Sequence, residues 1–124
     1  MVDLEFINPG TPVAGPYSPM VIAGNLIFVS GQVPAPDLDN VRDQTASALE
    51  KIKSLLKSCG SNVGNIVKTT VYLKDMEEFK EMNDAYKDFF KQNGIVENFP
   101  ARSTIQASPP LLVAKLEIDA IATR

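Results

Sequence analysis

Phe99-Pro100-Ala101-Arg102-Ser103-Thr104-Ile105 and Lys115-Leu116-Glu117-Ile118-Asp119-Ala120-Ile121 are the two stretches on which the arrangement of the chain depends. Both alternate with the period of two that marks strands. In the first, Arg102, Thr104 and Gln106 share one face, and Ser103, Ile105 and Ala107 the other. In the second, Leu116, Ile118 and Ala120 oppose Lys115, Glu117 and Asp119. If the two strands pair, a guanidinium and a carboxylate project from the same side of one sheet. Arginine grips a small carboxylate through two parallel hydrogen bonds. A glutamate beside it can position and deprotonate a water. Together they are a minimal kit for hydrolysis at the carbon next to a carboxylate. An ordinary strand pair with its charges in water has the same alternation, because charged residues are normally exposed.

Ahead of these strands, Leu4 to Ile7 reads as a short strand, followed by the turn cluster Asn8-Pro9-Gly10-Thr11-Pro12. Ala14-Gly15-Pro16-Tyr17-Ser18-Pro19 continues as a loop held extended by its prolines. Tyr17 is either an aromatic tucked over the core or a phenol lining a pocket. Met20 to Ala23 and Leu26 to Ser30 flank Gly24-Asn25, a hairpin signal. Ser30-Gly31 ends that strand, either as a simple turn or as a place where a ligand approaches the backbone.

Asn40 reads as the N-cap of a helix over 41–58, with Ala48, Leu49, Ile52, Leu55, Leu56 and Cys59 as its apolar stripe and Gly60 closing it. Ile66 to Leu73 is the clearest strand. Asp75, with Glu78 as its reciprocal partner, is predicted to cap a second helix running to Gln92. Asn83 lies beside the stripe of Phe79, Met82, Tyr86, Phe89 and Phe90, as a helix–sheet contact or as a pocket residue. The predicted order is β-β-β-α-β-α-β-β in a single domain over 1–124. Two helices cover one face of a sheet of about six strands, an α+β arrangement. Thr70, Tyr72, Arg102, Thr104 and Glu117 are expected on the other face, among apolar residues. That mixture suits burial against a second subunit.

Composition narrows the chemistry. The chain has 12 basic and 15 acidic residues, a net charge of −3, one cysteine and no histidine. No histidine means no Ser-His-Asp triad, no Cys-His dyad and no histidine-bound zinc. Acid–base work falls to carboxylates, lysine, tyrosine, cysteine or water. No basic patch suggests nucleic acid as a partner. The N-terminal residues lack the pattern of a secretory signal, and no apolar run is long enough for a membrane span. Cys59, at the end of a helical stripe, reads as a buried filler rather than a nucleophile. A single cysteine points to a reducing, cytoplasmic location and leaves a mitochondrial one open.

Read together, several motifs resemble the reactive intermediate deaminase (RidA) family, also called YjgF or L-PSP. They are Ala14-Gly15-Pro16-Tyr17-Ser18, Gly24-Asn25-Leu26-Ile27-Phe28-Val29-Ser30-Gly31-Gln32, Val67-Lys68-Thr69-Thr70-Val71-Tyr72-Leu73, Met82-Asn83 with Tyr86, Pro100-Ala101-Arg102-Ser103, and Leu116-Glu117-Ile118 with Ala120-Ile121-Ala122. The resemblance runs along nearly the whole chain. It implies a chorismate-mutase-like fold, a homotrimer with sites between neighbouring subunits, and no cofactor or metal. It implies hydrolysis of enamine and imine intermediates shed by pyridoxal-phosphate enzymes, 2-aminoacrylate and 2-iminobutyrate, to 2-oxo acids and ammonia. In that pattern Arg102 holds the substrate carboxylate and Glu117 positions the attacking water. Tyr17, Ser30, Gly31, Asn83 and Thr104 line or support the pocket. Thr104 stands where many bacterial members carry cysteine, and Met20 where another residue is common. Some relatives are described as ribonucleases or translation inhibitors. A non-catalytic 2-oxo-acid-binding or chaperone-like module is a third possibility.

Overall fold

The computed structural model describes residues 2–124. Six strands form one sheet: β1 (Leu4–Ile7), β2 (Met20–Ala23), β3 (Leu26–Gln32), β4 (Ile66–Leu73), β5 (Ala101–Gln106) and β6 (Leu116–Thr123). Helices α1 (Val41–Ser58) and α2 (Phe79–Gln92) pack on one face. The expected α+β architecture and the order of its elements are thus observed. The strand order across the sheet is β1-β2-β3-β6-β4-β5. β6 runs antiparallel to both neighbours, and β5 lies parallel to β4 at the edge.

Local chemistry sets the helix limits. The Asn40 side chain accepts the Asp43 N–H at 2.8 Å and opens α1. Both helices end in the same motif. Gly60 and Gly94 adopt φ of +83° and +84°, and the N–H after each returns to a carbonyl of the last turn, Ser61 to Leu56 at 2.9 Å and Ile95 to Phe90 at 2.8 Å. The start of α2 differs from expectation. Asp75 accepts the Glu77 N–H at 2.9 Å and caps a single 3₁₀ turn, Met76–Glu78, so α2 begins at Phe79. The Glu78 carboxylate turns instead to Lys115 Nζ at 3.4 Å.

Side-chain alternation then builds the core. Cross-strand partners share a face. One row crosses all six strands, Ile7–Met20–Val29–Ala120–Thr69–Arg102, and faces the helices. Met20, Ile27, Leu49, Ile52, Leu73, Met82, Phe90, Leu116 and Ile118 fill this side and are fully buried. Gln44 is buried among them with every polar atom engaged. Its Nε2 donates to the Leu38 and Val113 carbonyls at 2.8 and 3.1 Å, and its Oε1 accepts the Lys115 N–H at 2.7 Å. The amide therefore ties two loops to α1.

The opposite face is uncovered in one chain. Phe6 is 67% exposed, Phe28 41% and Ile105 47%. Tyr72 and Glu117 are cross-strand partners beside them, as are Thr70 and Asp119. Among the described residues, no helix is long and apolar enough to cross a membrane.

Candidate functional site

The residues singled out from sequence fall into two groups on opposite faces of the sheet. This corrects the expectation that Arg102 and Glu117 share a side. β4 lies between β5 and β6, so the two strands do not pair with each other. Through β4 the phases separate. Arg102 aligns with Thr69, which faces the helices, and Glu117 aligns with Tyr72, which faces away. Thr104 aligns with Val71 and so shares the face of Arg102 rather than that of Glu117. A period of two fixes which residues of a strand alternate. It does not fix the phase between strands that a third one separates.

The arginine group is built on β5 and α2. Arg102 Nη2 donates to Asn83 Oδ1 at 2.6 Å. Its guanidinium carbon lies 4.8 Å from the Tyr86 ring centroid and 5.8 Å from that of Phe79. Tyr86 is itself fixed, its hydroxyl 2.7 Å from Thr69 Oγ1. Burial raises the Tyr86 pKa, against the opposing pull of the Thr69 hydrogen bond and the Arg102 charge. Asn83 is thus both a helix–sheet contact and a pocket residue. Among the described residues, no carboxylate lies within ion-pair distance of Arg102. One edge of the fork is held by Asn83, and the remaining N–H groups are available to an anion. Arg102, Asn83, Tyr86, Lys87, Phe99 and Pro100 line an open cavity of about 360 Å³.

The glutamate group is built on β3, β6 and two loops. β3 does not stop at Ser30 as expected. Its register with β6 shifts between Val29 and Gln32, and pairing resumes at Gln32 with Ile118. This bulge lays Gly31 directly against Glu117. A Cβ built on Gly31 would overlap the Glu117 carboxylate, with Cδ at 2.7 Å. Gly31 is therefore a close-approach glycine. Ser30 Oγ donates to the Ser18 carbonyl at 2.6 Å, which fastens the loop carrying Tyr17 to the strand. Ser30 supports the pocket through that bond. Tyr17 is 50% exposed, and its hydroxyl accepts the Ala14 N–H at 3.4 Å. Burial raises the Glu117 pKa above the ordinary carboxylate value, and the neighbouring Asp119 charge adds to the shift. Tyr72 donates its hydroxyl to Asp119 Oδ2 at 3.0 Å. Tyr17, Ser30, Gly31 and Glu117 line an open pocket of about 510 Å³ with Ala14, Val33, Pro110 and Leu111.

Within one chain, then, Tyr17, Ser30, Gly31 and Glu117 come together, and so do Asn83 and Arg102. Pro110 and Leu111 escaped the sequence reading because residues 107–114, between β5 and β6, carry neither charge nor periodicity. Met20, noted as a departure from the family pattern, is core rather than pocket.

Gly31→Ala tests the glutamate group. The new methyl must push the carboxylate aside, and a displacement near 1 Å can cost about 10²-fold in rate. A loss of that order in kcat/KM is expected for the deamination assay described below. A variant with unaltered kcat/KM would show that the position of Glu117 over Gly31 does not matter.

Comparison with known proteins places these groups in a family. Residues 10–124 match the family model described as endoribonuclease L-PSP. A RutC family protein of Pyrococcus horikoshii is 35% identical over 98% of this chain and 98% of its own length. The 2-iminobutanoate/2-iminopropanoate deaminase of Salmonella typhimurium is 36% identical over 89% and 88% of the two chains. The crystal structure of Escherichia coli TdcF with bound serine superposes with a TM-score of 0.87 at 35% identity, covering 97% of this chain and 98% of that one. The sheet and helices are accordingly those of the chorismate-mutase-like fold of YjgF proteins. The chain belongs to the RidA/YjgF/L-PSP family.

Proposed function

We propose that the protein is a hydrolytic deaminase of 2-imino acids, 2-iminobutyrate and the imine tautomer of 2-aminoacrylate among them, working at sites between the subunits of a homotrimer. The observation that carries this reading is the split of the charged residues. Arg102 presents an anion-binding fork on one side of the sheet, and Glu117 a carboxylate of raised proton affinity on the other. A site needing both must draw them from two chains. The uncovered face, with Phe6, Phe28 and Ile105 beside polar Tyr72 and Glu117, is a surface such an assembly can bury.

In the proposed reaction, Arg102 of one subunit holds the substrate carboxylate. Glu117 of a neighbour accepts a proton as the water oxygen bonds to C2. The carbinolamine collapses, the C2–N bond breaks, and the nitrogen leaves with a returned proton as ammonia, giving the 2-oxo acid. No electrons leave the substrate, and the iminium carbon is already electrophilic. Orientation can therefore supply most of the acceleration. The endoribonuclease of the family description is the competing class. With net charge −3 and no histidine, the chain has little to offer a phosphodiester backbone.

Subunit complementation tests the split. Arg102→Ala and Glu117→Gln chains are each expected to be nearly inactive on 2-iminobutyrate and to sediment as trimers. Unfolded together and refolded in equal amounts, they should recover activity. With random mixing, about a quarter of heterologous interfaces pair an intact arginine with an intact glutamate. Sedimentation as a stable monomer, or no recovery in the mixed trimers, would overturn the inter-subunit site.

A further inference from the structure

The cavity around Arg102 carries a second cation, Lys87, and none of the residues lining it is a carboxylate. We infer that Lys87 recruits the carboxylate of the substrate to Arg102 by its charge, without touching the bound molecule. This rests on the reading of Arg102 as the carboxylate anchor given above.

Helix α2 sorts its charges by face. Residues four apart on a helix lie one above the other. Asp84 and Asp88 turn to α1, where Arg42 meets them at 3.3 and 3.9 Å, and Lys80 adds a second contact to Asp84 at 3.1 Å. Asn83 and Lys87 form the neighbouring row, which lines the Arg102 cavity, and Asn83 holds the guanidinium at 2.6 Å. The two acids nearest Lys87 in the helix are thus drawn away from the cavity. Lys87 is exposed, and among the described residues it has no ion-pair partner. Its charge is left to face the cavity mouth.

The wider field works against the ligand. The chain carries a net charge of −3, so at long range it repels an anion. Two cations in one open cavity reverse that sign locally, and such a spot raises the concentration of counter-ions at its mouth. The hydrated ammonium of lysine, on a flexible stem, suits this role better than a fixed contact. Recruitment matters for this reaction because a 2-imino acid also hydrolyses unaided. The protein must act while the substrate is dilute, where kcat/KM rather than kcat sets the rate.

The test measures 2-oxobutyrate binding by calorimetry and kcat/KM on 2-iminobutyrate. Each is read at ionic strengths of about 0.01 M and about 1 M, where the screening length is about 30 and about 3 Å. At low salt, Lys87→Gln should weaken 2-oxobutyrate binding about 3-fold, the effect of a unit charge about 6 Å from another in water. Lys87→Glu reverses the sign and should weaken it about 10-fold. Lys87→Arg keeps the charge and should bind as the wild type does. The fall in kcat/KM should follow the same order and appear in KM, with kcat kept. At high salt the four proteins should agree within about 1.5-fold, because screening removes a charge acting at a distance. Gln and Glu variants that match the wild type at low salt would overturn the recruitment. Differences that persist undiminished at high salt would overturn it too, since they mark a direct contact or a packing role. If no imine is turned over, the deaminase reading fails, and the binding measurements still decide the role of Lys87. A wild type that binds no 2-oxobutyrate at low salt would remove both the anchor and its recruiter.

Discussion

Arg102→Ala is expected to lose 2-oxobutyrate binding by a factor of about 30 to 5,000, the 2–5 kcal/mol that removal of one partner from a buried charge pair typically costs. The expected loss of kcat/KM on 2-iminobutyrate is of the same order, because the carboxylate is held in both ground and transition states. Isothermal calorimetry and single-substrate kinetics measure the two. Arg102→Lys is expected to fail nearly as badly. Asn83 Oδ1 already takes one N–H of the guanidinium, and Tyr86 supports its plane at 4.8 Å. An ammonium is a point charge without that plane or fork. It can reach Asn83 or a substrate carboxylate, but does not reproduce the two-sided geometry. The alanine variant should also lose about 1 kcal/mol of stability, the usual cost of a lost hydrogen bond, with the cation–π contact gone as well. That cost follows from the side of the sheet on which Arg102 lies. Alternation alone placed it away from the helices, and there its loss would leave α2 untouched. Deamination by Arg102→Ala at the wild-type rate would refute the carboxylate anchor.

What was legible in the sequence, and what was not, divides along one physical line. Features set by local chemistry were readable. Asn40 and Gly60 bound the first helix because capping and positive φ act over a few residues. Each strand's own alternation held from Leu116 to Thr123 and from Ala101 to Ile105. Features set by long-range pairing were not. α2 connects β4 to β5, and a strand–helix–strand unit pairs its strands in parallel. That signal was present and points to β4, not β6, as the neighbour of β5. The Glu78 cap failed for a similar reason. Local spacing favoured it, but Lys115, distant in sequence, competes for the carboxylate. Gly31 is the intermediate case. Its glycine signalled a close approach, but only the bulge between Val29 and Gln32 shows that the approaching group is Glu117.

Glu117→Gln keeps the shape of the side chain and removes its ability to accept a proton. A fall in kcat on 2-iminobutyrate of about 10²–10⁴-fold is expected, the usual contribution of a general base. 2-Oxobutyrate should still bind, because its anchor is Arg102. The two variants therefore fail in different measurements, and a non-catalytic binding module would show no kcat difference at all. The pH dependence separates the base from a mere spacer. Burial first, and the Asp119 charge second, raise the Glu117 pKa. Only the ionised carboxylate accepts a proton, so activity should fall as pH drops through that raised value, above the ordinary glutamate range. Asp119→Asn removes one cause of the shift and should move this acid limb to lower pH. Stability should run the other way. A carboxyl whose folded pKa exceeds its unfolded one favours the fold while protonated, and that contribution is lost as pH rises through the folded value. Glu117→Gln, permanently neutral, should thus melt above the wild type at neutral pH, and the gap should close below the unfolded pKa. A pH–rate profile of the wild type whose acid limb lies at or below the ordinary glutamate value, or a Gln variant of undiminished kcat, would remove Glu117 from the role of base. The bulge at Gly31 would then be left without a catalytic purpose.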